Sequence, residues 1–169
     1  MKTTLQKTKV KYRRWVNLDD SPAGMVALNA IIDPTVIIHA NATIGAYCTI
    51  GSYTVIKENV HVGAFCVIGK LVVLSRNVTV AETVVIDDGV YLDVNTCVAS
   101  ETVIGANSYV GINCNLWEKV VLGKEVTIMH NVKIGTQAIL SESSHVGNNV
   151  LIHEKQIVNN FVSDNTIIG

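Results

Sequence analysis

No stretch of this chain approaches the roughly 18 uninterrupted apolar residues that a membrane span requires, so a composition that is 49% hydrophobic points to a buried core rather than a bilayer. The first segment, Met1 to Trp15, is basic and lacks an apolar run, which argues against a secretory signal. The four cysteines show no metal-ligand spacing. Together these absences predict reduced thiols in a cytoplasmic protein. Acidic residues are missing from the start: Lys2, Lys7, Lys9, Lys11, Arg13 and Arg14 all precede Asp19. The rest of the chain then holds 13 − 6 = 7 bases against all 14 acids, an excess of about seven negative charges. Such a body does not suit nucleic acid, whose binding rests on neutralising phosphates. The basic start is either a soluble arm or an element that binds an anion or nucleic acid.

What the chain does have is a period of six. Every sixth residue from Val26 to Val158 is Ile, Leu or Val, 23 positions without a slip. Four residues after each stands a small residue, as at Ala30, Ala42, Cys48, Thr54 and Cys66, with Gln156 the one exception. Neither an α-helix nor an ordinary strand repeats at this interval. A six-residue repeat marks a parallel β-helix, in which short strands wind into a tube. Three sixes make one three-sided coil, so residues 18 apart should stack. About seven and a half coils, spaced by roughly 4.8 Å, give a prism on the order of 36 Å long. Residues 1–25 lie outside the repeat as an N-terminal arm that Trp15 could anchor, with a turn at Ser21-Pro22-Ala23-Gly24. Residues 26–169 form the β-helix. Its last coil should be distorted, because Val162 follows Val158 after only four residues and Asp164 falls where the old phase wanted an aliphatic.

An independent column supports the 18-residue coil. Asn41, Asn59, Asn77, Asn95, Asn113, Asn131 and Asn149 recur without a gap, three residues past an aliphatic. Asn tolerates the positive φ of a tight corner, and stacked amides can bond along the ladder. Outward positions form three more columns. One runs Ile37, Val55, Val73, Tyr91, Tyr109, Thr127, His145, and another Thr49, Val67, Val85, Val103, Val121, Ile139, Ile157. Both are largely apolar, whereas the third, from Thr43 through His61 and Asn115 to Leu151, is mostly polar. Exposed aliphatic stripes of this length call for a partner. Three prisms packed in a ring would use two faces of each, which predicts a homotrimer.

The units Thr43-Ile44-Gly45, Thr49-Ile50-Gly51 and Val67-Ile68-Gly69 resemble those of the hexapeptide-repeat acyltransferases, and the likeness extends over residues 26–169. The resemblance implies an all-β fold, a single-stranded left-handed parallel β-helix, although general crossover rules favour the opposite hand. A sharper likeness is His130-Asn131-Val132-Lys133-Ile134-Gly135, similar to the segment that carries the catalytic histidine in lipid A acyltransferases and bacterial sugar N-acetyltransferases. It implies His130 as general base, with Asn131 where many members have an orienting Asp. It also implies acetyl-CoA as acyl donor and an amino sugar, free or nucleotide-linked, as acceptor. An amide cannot stabilise an imidazolium as a carboxylate does, so the base would be weaker.

Acyl transfer from a thioester needs a base for the attacking amine and an N–H for the oxyanion. Asn148 falls one coil above His130, which makes the backbone at Gly147 and Asn148 the candidate oxyanion donor. His145 is a candidate for the same groove between subunits, and Glu142 and Glu154 are nearby acids. His39, His61 and His153 read as surface or packing residues. No close histidine pair suggests a zinc site of the carbonic-anhydrase kind, so no metal is expected. Two shortages weigh against catalysis. The arm is too short for the nucleotide-binding domain of many sugar N-acetyltransferases, and the repeats run without an inserted loop that would shape a pocket. The sequence is therefore read as an acyltransferase that works in a groove between subunits, with a non-catalytic assembly solenoid as the alternative. A degenerate carbonic-anhydrase-like protein is a third.

Overall fold

The computed structural model describes residues 9–169; Lys2 and Lys7 of the basic start lie outside them. The described chain holds 26 strands and no helix. From Ile31 onward each strand is two residues long, an outward residue followed by the inward aliphatic. The strands stack into three parallel sheets. Pairing is one coil to the next at 18 residues, as in Val73↔Tyr91, Thr79↔Cys97 and Val85↔Val103. The solenoid is the left-handed β-helix of the hexapeptide-repeat fold.

The six-residue period is dictated at the corners. A two-residue strand must turn to start the next face, and at every corner from Asn41 to Lys155 one residue adopts positive φ. The asparagines from Asn41 to Asn149 do so with φ between 57° and 62°. Their amides form the expected ladder: Asn95 Nδ2 donates to Asn113 Oδ1 at 3.1 Å and Asn113 Nδ2 to Asn131 Oδ1 at 3.3 Å. The inward aliphatics fill the tube, and Ile38, Leu74, Leu92, Ile104 and Ile128 are fully buried. The small inward residues fill what is left and also satisfy corner carbonyls. Thr54 Oγ1 donates to Gly69 O at 2.8 Å, Thr96 Oγ1 to Gly111 O at 2.8 Å, and Cys48 Sγ to Gly63 O at 2.9 Å. A hydroxyl or thiol at this position therefore both packs and pairs a buried acceptor. All four cysteines are free, three buried and Cys97 exposed.

Two features at the ends bear on the site. At the start, β1 (Tyr12–Arg14) runs antiparallel to β2 (Met25–Ala27). Trp15 is buried beside it, and its Nε1 donates to Val36 O at 3.1 Å. Asn17 accepts from Ile38 N at 2.9 Å and donates to Ile38 O at 3.1 Å, so the arm closes over the first coil. At the other end the expected distortion is a shortened coil. His145 pairs with Phe161 and Leu151 with Ile167, each 16 residues on instead of 18.

Candidate functional site

His130 lies at the corner between the strands Thr127–Ile128 and Lys133–Ile134, half-exposed. Its ring reaches back over the coil below because Gly111 has no side chain: a Cβ there would stand 2.7 Å from Nδ1 and 2.7 Å from Met129 O. Ile112 N donates to Nδ1 at 3.0 Å. The same bond repeats upward. His130 N donates to Asn148 Oδ1 at 3.2 Å, and Asn148 N donates to Asp164 Oδ1 at 2.6 Å. Each side chain in this column thus accepts the backbone N–H of the corner beneath it, a variation on the asparagine ladder next door.

The column has consequences for every group expected to do chemistry. With Nδ1 an acceptor, the neutral imidazole carries its proton on Nε2, so the ring offers a donor outward and its lone pair is engaged within the chain. Gly147 N donates to Val162 O at 2.8 Å and Asn148 N to Asp164. Both proposed oxyanion donors are therefore already paired. The Asn148 backbone N–H, and after it the Asn148 side-chain amide, holds the Asp164 carboxyl below its usual range. Asn131 bonds its ladder neighbours Asn113 and Asn149, with no bond to the His130 ring. His145 stacks on Phe161, ring centroids 5.3 Å apart and planes 5° apart. Glu154 lies 3.7 Å from Lys155, and neither it nor Glu142 pairs with His130 among the described residues.

Sequence reasoning missed Asp164 because its role depends on the short last coil. At 18-residue spacing the residue above Asn148 would be Thr166; the two-residue deficit puts Asp164 there instead. It also missed the contact between the two tyrosines of the column that starts at Ile37. Tyr91 and Tyr109 stack 5.7 Å apart, Tyr109 donates to Asp93 Oδ2 at 3.1 Å, and Ser75 Oγ lies 3.1 Å from Tyr91 OH. Burial, and then the Asp93 carboxylate, push the Tyr109 phenol up to about 12. The other column is aliphatic from Val67 onward, and there Val67, Val103, Val121, Ile139 and Ile157 are 37–64% exposed. Two concavities open at the opposite end of the prism from His130. One of about 350 Å³ is lined by Lys9, Val10, Lys11, Leu28, Asn29 and Tyr47. The other, of about 300 Å³, lies between Arg14, the Pro22–Met25 turn and Ala40–Thr43. Among the described residues no three His, Cys, Asp or Glu side chains converge as a metal site would require, and no helix is long and apolar enough to cross a membrane.

A family model described as the GMPPB C-terminal domain matches residues 27–140. No curated protein matches the chain. Among solved structures, LpxA from Acinetobacter baumannii is 18% identical, covering 84% of this chain and 69% of its own, with a TM-score of 0.56. UDP-N-acetylglucosamine O-acyltransferase (LpxA) from Moraxella catarrhalis is 14% identical over 84% of this chain and 67% of its own, with a TM-score of 0.47. The acetyltransferase domain of PglB from Neisseria gonorrhoeae is 21% identical over 68% of this chain and 47% of its own, with a TM-score of 0.46. At such identities the likeness is one of fold, and the chain spans between about half and seven-tenths of these proteins' lengths.

Proposed function

We propose a function from one premise: the chain belongs to the GMPPB C-terminal domain family, whose model spans residues 27–140. Its β-helix is an assembly module, a rigid prism that packs through its two apolar faces against further copies, three to a ring, and carries out no chemistry at the His130 corner. One observation carries this reading. The groups that an acyl transfer would need there are bonded inside the chain: Nδ1 of His130 to Ile112 N, and Asn148 N to Asp164. The exposed column of Val67, Val103, Val121 and Ile139 supplies the surface for association. Sedimentation of the wild type should show a trimer. Val121→Lys with Ile139→Lys, which places two charges on the C-terminal half of that face, should give monomers that remain folded. A monomeric wild type would sink the assembly.

A second reading is favoured by the segment His130-Asn131-Val132-Lys133-Ile134-Gly135 and by the half-exposed ring. In it the same corner, completed by a neighbouring protomer, moves an acetyl group from acetyl-CoA to the amine of a sugar. His130 would have to release Ile112 to accept the amine's proton, and Asp164 to leave Asn148, before the base and the oxyanion donor existed. Thioester cleavage with amino-sugar acceptors separates the two readings. The assembly reading expects no turnover above background in wild type or His130→Ala. Turnover that disappears in His130→Ala would establish the enzyme.

A further inference from the structure

The corner column that starts at Asn29 continues one coil up in Tyr47 and another in Phe65. Tyr47 and Phe65 both hold φ 59°, a conformation that bulky side chains rarely adopt. The neighbouring column meets the same demand with Asn in every coil from 41 to 149, so the backbone does not ask for aromatic rings here. The rings are nonetheless presented to solvent, 60% and 55% exposed, and stack 5.0 Å apart with planes 9° apart. Phe65 covers one face of Tyr47. The other face looks toward the first coil, where the column residue is the small Asn29, whose Oδ1 accepts Tyr47 N at 3.4 Å. The space a third ring would fill is the concavity of about 350 Å³ lined by Lys9, Val10, Lys11, Leu28, Asn29 and Tyr47.

The remaining walls supply charge and fixity. Lys11 O accepts Leu28 N at 2.9 Å, which ties the lysine-bearing segment to the first coil. Neither Lys9 nor Lys11 forms an ion pair among the described residues, and no acid precedes Asp19 in the sequence. Arg13, by contrast, lies over the Trp15 ring, 5.1 Å from its centroid. A stacking face, two free ammonium groups and an amide at one concavity fit a planar ring that bears phosphate. We infer that this end of the prism binds a mononucleotide, its base continuing the Phe65–Tyr47 stack, its edge meeting the Asn29 amide and its phosphates meeting Lys9 and Lys11. A polynucleotide is disfavoured, since its further phosphates would run over a body with about seven excess acids.

Calorimetric titration of the whole chain tests this, with ADP, adenosine, pyrophosphate and oligo(dA) as probes. ADP should bind saturably, one per chain, and more weakly as salt rises. Adenosine and pyrophosphate, each offering half of the recognition, should bind about tenfold more weakly or worse. Tyr47→Asn removes the stacking face while suiting the corner backbone, and should weaken ADP by about tenfold. Tyr53→Asn removes an exposed aromatic from the adjacent corner column and should leave ADP binding unchanged. Lys11→Gln should weaken ADP and flatten its salt dependence. Melting curves report whether each variant is folded. A flat ADP titration, ADP binding indifferent to Tyr47→Asn in a folded variant, pyrophosphate binding equal to ADP, or oligo(dA) binding tighter than ADP would each overturn the assignment.

Discussion

Two substitutions at His130 separate a structural role from a chemical one. In His130→Ala the Ile112 N–H loses its acceptor at 3.0 Å. In His130→Asn a carboxamide oxygen can take the place of Nδ1, because Asn148 does this one coil higher, accepting His130 N at 3.2 Å. A net hydrogen bond is worth about 0.5–1.5 kcal/mol, and a buried donor left alone costs about 1–3 kcal/mol. Ile112 is half-exposed, so water can partly replace the lost partner, and the working figure is about 1 kcal/mol. For a chain of this length that lowers the melting temperature by roughly 2–4 °C. It also speeds exchange of the Ile112 amide by about fivefold, since 1 kcal/mol is about that factor in a local opening equilibrium. His130→Asn should melt close to wild type and keep Ile112 protected. Were His130 a base, both substitutions would abolish turnover alike, although only one of them lost stability. The column is misread if the two variants melt together, or if Ile112 exchange in His130→Ala is unchanged.

Leu92→Ala empties a fully buried position in the middle of the tube and should cost about 3–5 kcal/mol in denaturant unfolding, since stacked coils cannot collapse sideways into the cavity. Tyr53→Asn should stabilise by about 1 kcal/mol: Tyr53 holds φ 58° and is 65% exposed, so the substitution relieves the backbone and gives up little packing. A melting temperature at or below wild type would show that the ring contributes more than its exposure suggests. Asp164, whose folded value lies below the ordinary 3.8, strengthens the last coil fully above that ordinary value. The contribution fades as pH falls through the lowered folded value. Exchange at Asn148, corrected for its intrinsic pH dependence, should therefore rise in acid below about pH 3.8, and Asp164→Asn should remove that rise.

The tube was legible because its determinants are local and repeated. An aliphatic every six residues, a small residue four later and an asparagine every 18 state the strand, the corner and the coil, and each reappears as a pairing register or a ladder bond. The closing of the first coil was only partly legible. Trp15 is an evident anchor, but Asn17 bridging Ile38 has no periodic signature, because it occurs once. The His130 corner was legible as a position and not as a chemical state. The segment His130 to Gly135 places the ring; whether its Nδ1 is free depends on Gly111, 19 residues earlier, which lets the ring lie against the coil below. Likewise Tyr47 reads as one aromatic among nine in the sequence until the coil sets it between Phe65 and the lysines.

A parallel solenoid commits nearly all of its backbone N–H groups to the coil above or below, so any group that stabilises an oxyanion must come from a corner where that commitment fails. Here the residues just before three of the positive-φ asparagines provide such corners: Ile112 before Asn113, His130 before Asn131, Asn148 before Asn149. In all three the side chain one coil higher accepts the N–H. The last of these bonds exists because the final coil is two residues short, with Ile152 pairing Ile168. A coil of regular length would set Thr166 above Asn148, a shorter and neutral acceptor, and the corner nearest His130 would be the easiest to open. The same deficit brings Asp164 and Asn148 into contact and closes it. The irregularity that ends the hexapeptide pattern is thus what pairs the backbone N–H nearest His130.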